Sequence, residues 1–348
     1  MLLLLQKGLA KRQLSAVLDL ARELGYQSRS IEEESGVPRL LRLQGEGAPQ
    51  HRSQFEDLAA VAKVLDAGEA HELHQRAGRA DTIVSAADAR FGGKEISMIA
   101  GPCAVEDGER LIEIARAARE QGATLLRGGA FKPRTSPYSF QGLGREGLEL
   151  LAQVRVEVGI GVVTEVLDTR EVEHVAEVAD MIQIGARSMS CSPLLIEAGR
   201  TGKPILLKRG FGATVREFLM AAEFILNTGN EQVVLCERGV RSFDSVTRNL
   251  LDVGAVAYLK QATHLPVIID PSHAAGRADL VRQVSRAGMA AGADGLIVEV
   301  HPNPEEAHSD GAQAISIQEL GRIAAETRAI AAIDDRYFVE PEAAHASF

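Results

Sequence analysis

The sequence predicts an α/β protein: a (β/α)8 TIM barrel preceded by a small ferredoxin-like (ACT-like) α+β unit. Three observations lead there. Beyond about residue 91, short β-branched or Leu-rich runs alternate with amphipathic segments, the pattern of a parallel sheet buried on both faces. Eight such runs occur, and each ends in a charged or metal-type residue, which is where a barrel of this kind carries its chemistry. Finally, 348 residues at 45% hydrophobic content can bury a barrel core with about a hundred residues to spare.

Those spare residues lead the chain. Positions 1–68 read as strand (2–6), helix (13–24), strand (27–33), strand (39–44) and helix (54–66), a βαββα order. Leu14, Val17, Leu18, Ala21 and Leu24 share one face of the first helix, and Phe55, Leu58, Ala59, Ala62 and Leu65 share one face of the second. Ser53 and Glu56 have capping-box spacing. The opening MLLLLQKG reads as a buried strand, because its apolar run is too short for a signal peptide and Lys7 and Lys11 follow rather than precede it. A polar, His- and Arg-containing stretch over 69–81 with no clear apolar period opens the linker expected over 69–90.

The barrel is expected over 91–333. Its strands are 96–100, 124–128, 161–166, 181–185, 204–208, 232–237, 266–270 and 295–300. Helices are expected at 109–121, 145–158, 170–179, a short one near 193–199, then 215–227, 245–261, 277–291 and 317–332. Residues 334–348 read as a polar tail.

Charge and cysteine usage narrow the function. A net charge of -10 and a pI near 5.5 argue against a general nucleic-acid surface, which needs a basic excess. Three unpaired-looking cysteines, Cys103, Cys191 and Cys236, fit a reducing cytoplasm better than a disulfide framework. No stretch reaches the roughly 18 apolar residues that a bilayer span requires.

Any anion must therefore be held locally, and the strand ends supply the means. Arg127 and Lys132 fall at and after the second barrel strand, Arg187 after the fourth, Lys208 with Arg209 at the fifth, and Arg238 at the sixth. Singly, each is readable as a solvated loop residue; in register, they describe a site for a phosphate- or carboxylate-bearing substrate. A second group is Cys103 after the first strand, His273 after the seventh, Glu299 at the end of the eighth and Asp310 beyond it. Closure makes those strands neighbours, so the four can meet on one divalent ion, with Mn, Fe, Co and Zn all compatible with the donor set. Taken alone, Cys103 also reads as a small buried hydrophobe and His273 as a core histidine.

The motif strings GPCAVED (101–107), GGAFKPRTSPYSFQGLG (128–144), IGAR (184–187), LLKRG (206–210), CERG (236–239), IDPSHAAG (269–276) and EVHPNPEEAHSDG (299–311) closely resemble the 3-deoxy-D-arabino-heptulosonate-7-phosphate (DAHP) synthases, in the branch with a small N-terminal ferredoxin-like domain. The resemblance covers roughly residues 90–330. It implies condensation of phosphoenolpyruvate with erythrose 4-phosphate, the first step of the shikimate pathway. It further implies Cys103, His273, Glu299 and Asp310 as ligands of one divalent ion, Mn2+ foremost. Arg127, Lys132, Glu165, Ala186, Arg187, Lys208 and Arg238 would bind phosphoenolpyruvate, and Arg134 and Thr135 the phosphate of erythrose 4-phosphate. Cys103, His273 and Lys132 would form the catalytic group, with Lys132 the candidate proton donor.

One departure stands out: after IGAR, the usual Asn-Met-Gln-Asn-Phe type run is replaced by Ser188, Met189, Ser190, Cys191, Ser192 and Pro193. Two other readings compete. The sister enzyme making 3-deoxy-manno-octulosonate 8-phosphate from arabinose 5-phosphate carries Lys-Ala-Asn-Arg-Ser where this chain has Lys132, Pro133, Arg134 and Thr135. A non-catalytic metabolite sensor would ordinarily have lost ligands, and all four candidates are present. By analogy with relatives, the leading unit implies feedback inhibition by tyrosine or phenylalanine and a homotetramer. His301 and His308 flank the expected metal site as supporting groups.

Overall fold

The computed structural model describes residues 1–6, 9–34, 37–45, 50–65, 72–76, 78–133, 138, 140–307 and 309–341. Arg134, Thr135 and His308 lie outside the described residues. The chain forms two compact units, residues 1–72 and 73–348.

In the first unit, β1 (Leu2–Leu5), α1 (Lys11–Glu23), β2 (Gln27–Glu34), β3 (Val37–Gln44), α2 (Arg52–Glu56) and β4 (Val61–Leu65) build an antiparallel sheet of order β2-β3-β1-β4. The Leu run is a buried strand as expected, with Leu3 and Leu5 packed beside Val17, Ala21 and Phe55. The expected helix over 54–66 is a correction: it stops at Glu56, and residues 61–65 pair with β1 instead. Helical spacing of Ala and Leu lost there to an open sheet edge, where pairing satisfies backbone groups and buries Val61 and Val64. The Ser53 cap is likewise not formed: His51 holds the N-cap position, and Glu56 pairs with Arg52 at 2.7 Å.

The second unit begins earlier than the expected barrel start. Residues 84–91, all but the last expected in the linker, form a hairpin of β5 (Val84–Ala86) and β6 (Ala89–Phe91). Eight parallel strands follow and close: β7 (Glu95–Gly101), β8 (Leu125–Arg127), β9 (Gly161–Val166), β10 (Met181–Ile184), β11 (Ile205–Lys208), β12 (Val233–Glu237), β13 (Val267–Ile269) and β14 (Gly295–Glu299), with β14 returning to β7. Around them run α3 (Gly108–Glu120), α4 (Arg145–Val158), α5 (Val172–Val178), α6 (Ser192–Arg200), α7 (Val215–Leu226), α8 (Val253–Ala262), α10 (Ala278–Ala290) and α11 (Ile317–Ala331), while the extra short α9 (Pro271–Ala275) follows β13.

Two further expectations are corrected. The helix expected over 245–261 starts only at Val253, capped by Asp252, because 248 and 249 donate their backbone N–H groups to Ala275 and Ala274 of α9 and its end. The tail expected over 334–348 begins instead with β15 (Tyr337–Phe338), which pairs with β7; Phe338 is buried, and Arg336 pairs with Asp294 at 2.6 Å.

Strand parity positions the site. Ile99, Leu125, Val163, Met181, Leu206, Cys236, Ile268 and Ile297 point into the barrel, sealed below by Val84, Ala86, Ala89 and Phe91 of the hairpin. Two residues further along each strand, the side chain again faces inward. Those positions are Gly101, Arg127, Glu165, Gln183, Lys208, Arg238, Asp270 and Glu299. A polar layer therefore lies directly on an apolar one. Among the described residues, no helix is long and apolar enough to cross a membrane.

Candidate active site

The polar layer opens into a cavity of about 210 Å³ lined by Arg127, Lys132, Glu165, Ala186, Arg187, Lys208, Arg238, Arg248, His273 and Asp310, among others. Every residue expected to hold phosphoenolpyruvate thus reaches one space. Their commitments differ. Lys208 Nζ donates to Asp270 Oδ2 at 2.5 Å, whereas Arg187 and Arg238 have no carboxylate within ion-pair distance among the described residues. Both instead lie over the ring of Phe211, at 5.2 and 4.7 Å, with Arg241 at 5.4 Å. An aromatic face accommodates guanidinium groups without neutralising them, so two full charges remain available to an anion. Burial depresses the pKa of Arg238 below its ordinary value, with Asp270 acting in the opposite sense.

Arg127 is the most committed cation. Its Nε donates to Pro102 O and its Nη2 to Cys103 O, both at 3.2 Å, and Nη1 lies 3.2 Å from Glu299 Oε1. It braces the expected metal ligands as well as lining the cavity. Arg209, by contrast, is not in the site: one residue past Lys208 it has opposite parity, and it pairs outside the barrel with Glu237 at 2.7 Å and Asp252 at 3.2 Å.

Beside the cavity, three of the four expected ligands form one group, and the fourth, His273, touches one of its members. Cys103, Glu299 and Asp310 each offer a donor atom within 4.8 Å of the others'. His273 adds Nε2 at 3.3 Å from Glu299 Oε1. Asp310 reaches the group from a left-handed backbone position, φ 55°, and Cys103 Sγ donates to its Oδ2 at 3.2 Å. The donors fit a divalent ion on one further ground: Glu299 Oε1 is buried and accepts no aligned hydrogen bond among the described residues, although Arg127 and His273 stand close. Glu299 Oε2 is satisfied by Gln313 Nε2 at 2.5 Å.

Electrostatics agree with this geometry. Burial, reinforced by Glu299, pushes the Cys103 thiol up to about 12. Burial would raise Glu299 and Asp310 too, but His273 and Arg127 hold Glu299 below the ordinary carboxylate range, and the Cys103 hydrogen bond with His273 and Arg248 does so for Asp310. His273 is depressed by burial, which favours the neutral, ligating imidazole. Lys132 Nζ donates to Cys103 O at 2.8 Å and to Sγ at 3.0 Å, so the candidate proton donor stands between the anion cavity and the thiol.

Sequence reading missed Asp270, Gln183, Phe211 and Arg248. The first two were recoverable from parity, two residues after the inward apolar layer; Phe211 and Arg248 come from loops and gave no such signal. The departure at Ser188–Pro193 forms a turn in which Met189 Sδ accepts from Gly210 N at 3.1 Å, tying the loop after β10 to the loop after β11. Exposed Cys191 sits at the N-cap of α6. His301 is buried, but its Nε2 lies 3.8 Å from Glu106 rather than against the four donors.

Residues 81–332 match a family model described as the DAHP synthetase I family. A phospho-2-dehydro-3-deoxyheptonate aldolase of Thermotoga maritima is 48% identical over 279 residues, 80% of this chain and 82% of that protein. The crystal structure of the Thermotoga maritima DAHP synthase superposes with a TM-score of 0.76 at 41% identity, covering 97% of this chain and 98% of that one. A 2-dehydro-3-deoxyphosphooctonate aldolase of Syntrophotalea carbinolica is 35% identical, over 71% of this chain and 95% of that protein.

Proposed function

Because this chain belongs to the DAHP synthetase I family, we propose that it condenses phosphoenolpyruvate with erythrose 4-phosphate and water to give DAHP and phosphate. The observation that carries the reading is one cavity lined by Arg187 and Arg238, with no carboxylate at ion-pair distance among the described residues, together with His273 and Asp310, against which Cys103 and Glu299 lie. Arg187, Arg238, Lys208 and Lys132 bind the phosphate and carboxylate of phosphoenolpyruvate and turn C3 toward the aldehyde, which makes the encounter effectively intramolecular. Cys103, His273, Glu299 and Asp310 would hold a divalent ion, Mn2+ foremost, whose chemistry when bound is to polarise the sugar carbonyl. Phosphoenolpyruvate C3 bonds to that carbonyl carbon, water adds at C2, and phosphate departs with C–O cleavage. Lys132 Nζ delivers a proton to the developing alkoxide. Arg134 and Thr135 are proposed for the sugar phosphate on the motif alone.

The octulosonate reading is weaker, since its relative is 35% identical against 48%. Turnover with the two aldoses side by side decides between them: erythrose 4-phosphate should be strongly preferred, and preference for arabinose 5-phosphate would reverse the assignment. The βαββαβ order of the first unit supports reading it as an ACT-like regulatory module for an aromatic amino acid, in a homotetrameric cytoplasmic enzyme. Removing residues 1–72 should then leave turnover intact and abolish inhibition by tyrosine or phenylalanine; unchanged inhibition would refute that role.

A further inference from the structure

We propose that Asp270 is a positioning residue that joins the anion cavity to the metal-binding cluster, holding Lys208 and His273 with one carboxylate. The proposal rests on the function proposed above for its naming of phosphoenolpyruvate as the anion. Asp270 is fully buried at the end of β13, on the inward parity two residues after Ile268. Its Oδ1 accepts from the backbone N–H of His273 at 2.9 Å, which starts α9 and fixes where His273 leaves the chain. The other oxygen does something a helix cap does not require. Oδ2 faces the barrel mouth, with Lys208 Nζ at 2.5 Å and His273 Nδ1 at 2.8 Å.

Two consequences follow from that sharing. The contact with Nδ1 is close without being aligned as a hydrogen bond, yet a carboxylate oxygen 2.8 Å from Nδ1 favours the tautomer with its proton there, which leaves the lone pair of His273 on Nε2, the nitrogen that faces Glu299. Meanwhile Lys208, which springs from the opposite side of β12, is held at the cavity wall rather than folding over the cluster. Each partner limits how the other can use Oδ2, so occupation of the cluster and occupation of the anion cavity are linked through one atom, and linkage of this kind is reciprocal.

The test is equilibrium binding to the full chain, with Mn2+ followed by the electron paramagnetic resonance signal of the unbound ion and phosphoenolpyruvate by calorimetry on chelator-treated protein. Asp270→Asn keeps the size of the side chain and an oxygen for the cap but places an amide against two donors. Its Mn2+ dissociation constant should rise by about 10- to 100-fold, the usual effect of losing the carboxylate behind a ligating histidine. Its phosphoenolpyruvate dissociation constant, with no Mn2+ present, should rise as well, by about tenfold, as expected when a charged group loses its partner. If either affinity stays within twofold of the wild-type value, the proposal is overturned. Wild-type protein that binds Mn2+ but no phosphoenolpyruvate would sink the proposed function instead. Should Asp270→Asn not fold, Lys208→Met decides: Mn2+ affinity must shift more than in Arg238→Met, which removes the same charge from the same cavity without an ion pair to Asp270. Equal shifts would overturn the proposal.

Discussion

Lys132 owes its position to a missing side chain at residue 129. A Cβ on Gly129 would lie 2.7 Å from Lys132 Cδ, 3.2 Å from its Nζ and 2.9 Å from Cys103 O, closer than carbon can stand to the first or the last. Gly129→Ala must therefore swing the ammonium away from Cys103 O and Sγ, which it now meets at 2.8 and 3.0 Å. Two hydrogen bonds to a charged group are worth about 1.5–3 kcal/mol each, part of which the lysine regains in water. A net loss of about 3 kcal/mol of positioning corresponds to about 100-fold in turnover. Lys132→Ala should lose about 100- to 10,000-fold, the usual range for a proton-transfer group. The assay is phosphate release at saturating phosphoenolpyruvate, erythrose 4-phosphate and Mn2+, with circular dichroism confirming the fold. Because both changes remove the same ammonium from the same place, the double variant should be no slower than Lys132→Ala. Turnover of Gly129→Ala within threefold of wild type, or losses that multiply in the double variant, would refute this role for Lys132.

Other expectations follow from the same contacts. Phe211→Leu removes the ring beneath three guanidinium groups, each cation–π contact being worth about 0.5–2 kcal/mol, so KM for phosphoenolpyruvate should rise about 5- to 30-fold with kcat little changed and Phe211→Tyr restoring it. An unchanged KM would exclude the platform role. Arg209→Met strands Glu237, whose carboxyl burial already pushes upward against the pull of Arg209; urea unfolding should show a loss of about 3–5 kcal/mol with KM preserved, and a raised KM would place Arg209 in the site after all. At pH 8 the Cys103 thiol, pushed up to about 12, carries its proton, while His273 is already neutral and Glu299 and Asp310 already ionised. Binding of Mn2+ should thus release about one proton, seen with a pH indicator, and affinity should climb about tenfold per pH unit between pH 7 and 9. Release of none would mean that the sulfur stays protonated or unbound.

Much of the barrel was legible because its strands are buried on both faces and its helices have clear apolar stripes; helix α4 falls on the expected 145–158. Where local spacing and tertiary pairing disagreed, pairing won. Residues 61–65 have Ala and Leu at helical intervals but complete a sheet, and residues 245–252 look helical yet spend backbone donors on α9. The four candidate metal donors were readable as strand-end residues of neighbouring strands. Asp270 escaped notice because a carboxylate before Pro271 reads as a helix start, which it also is. Arg209 misled for the opposite reason: adjacency to Lys208 hides the fact that successive strand residues face opposite ways.

In the proposed mechanism, thiol, imidazole and two carboxylates act with the guanidinium cavity on two substrates at once. Phosphate release by chelator-stripped protein, measured with each substrate alone and with both, before and after Mn2+ is restored, tests it most directly. Phosphate should appear only when phosphoenolpyruvate, erythrose 4-phosphate and the ion are all present, with almost none from Cys103→Ala under the same conditions. Phosphate released without the aldose, or at wild-type rate by Cys103→Ala, would contradict it.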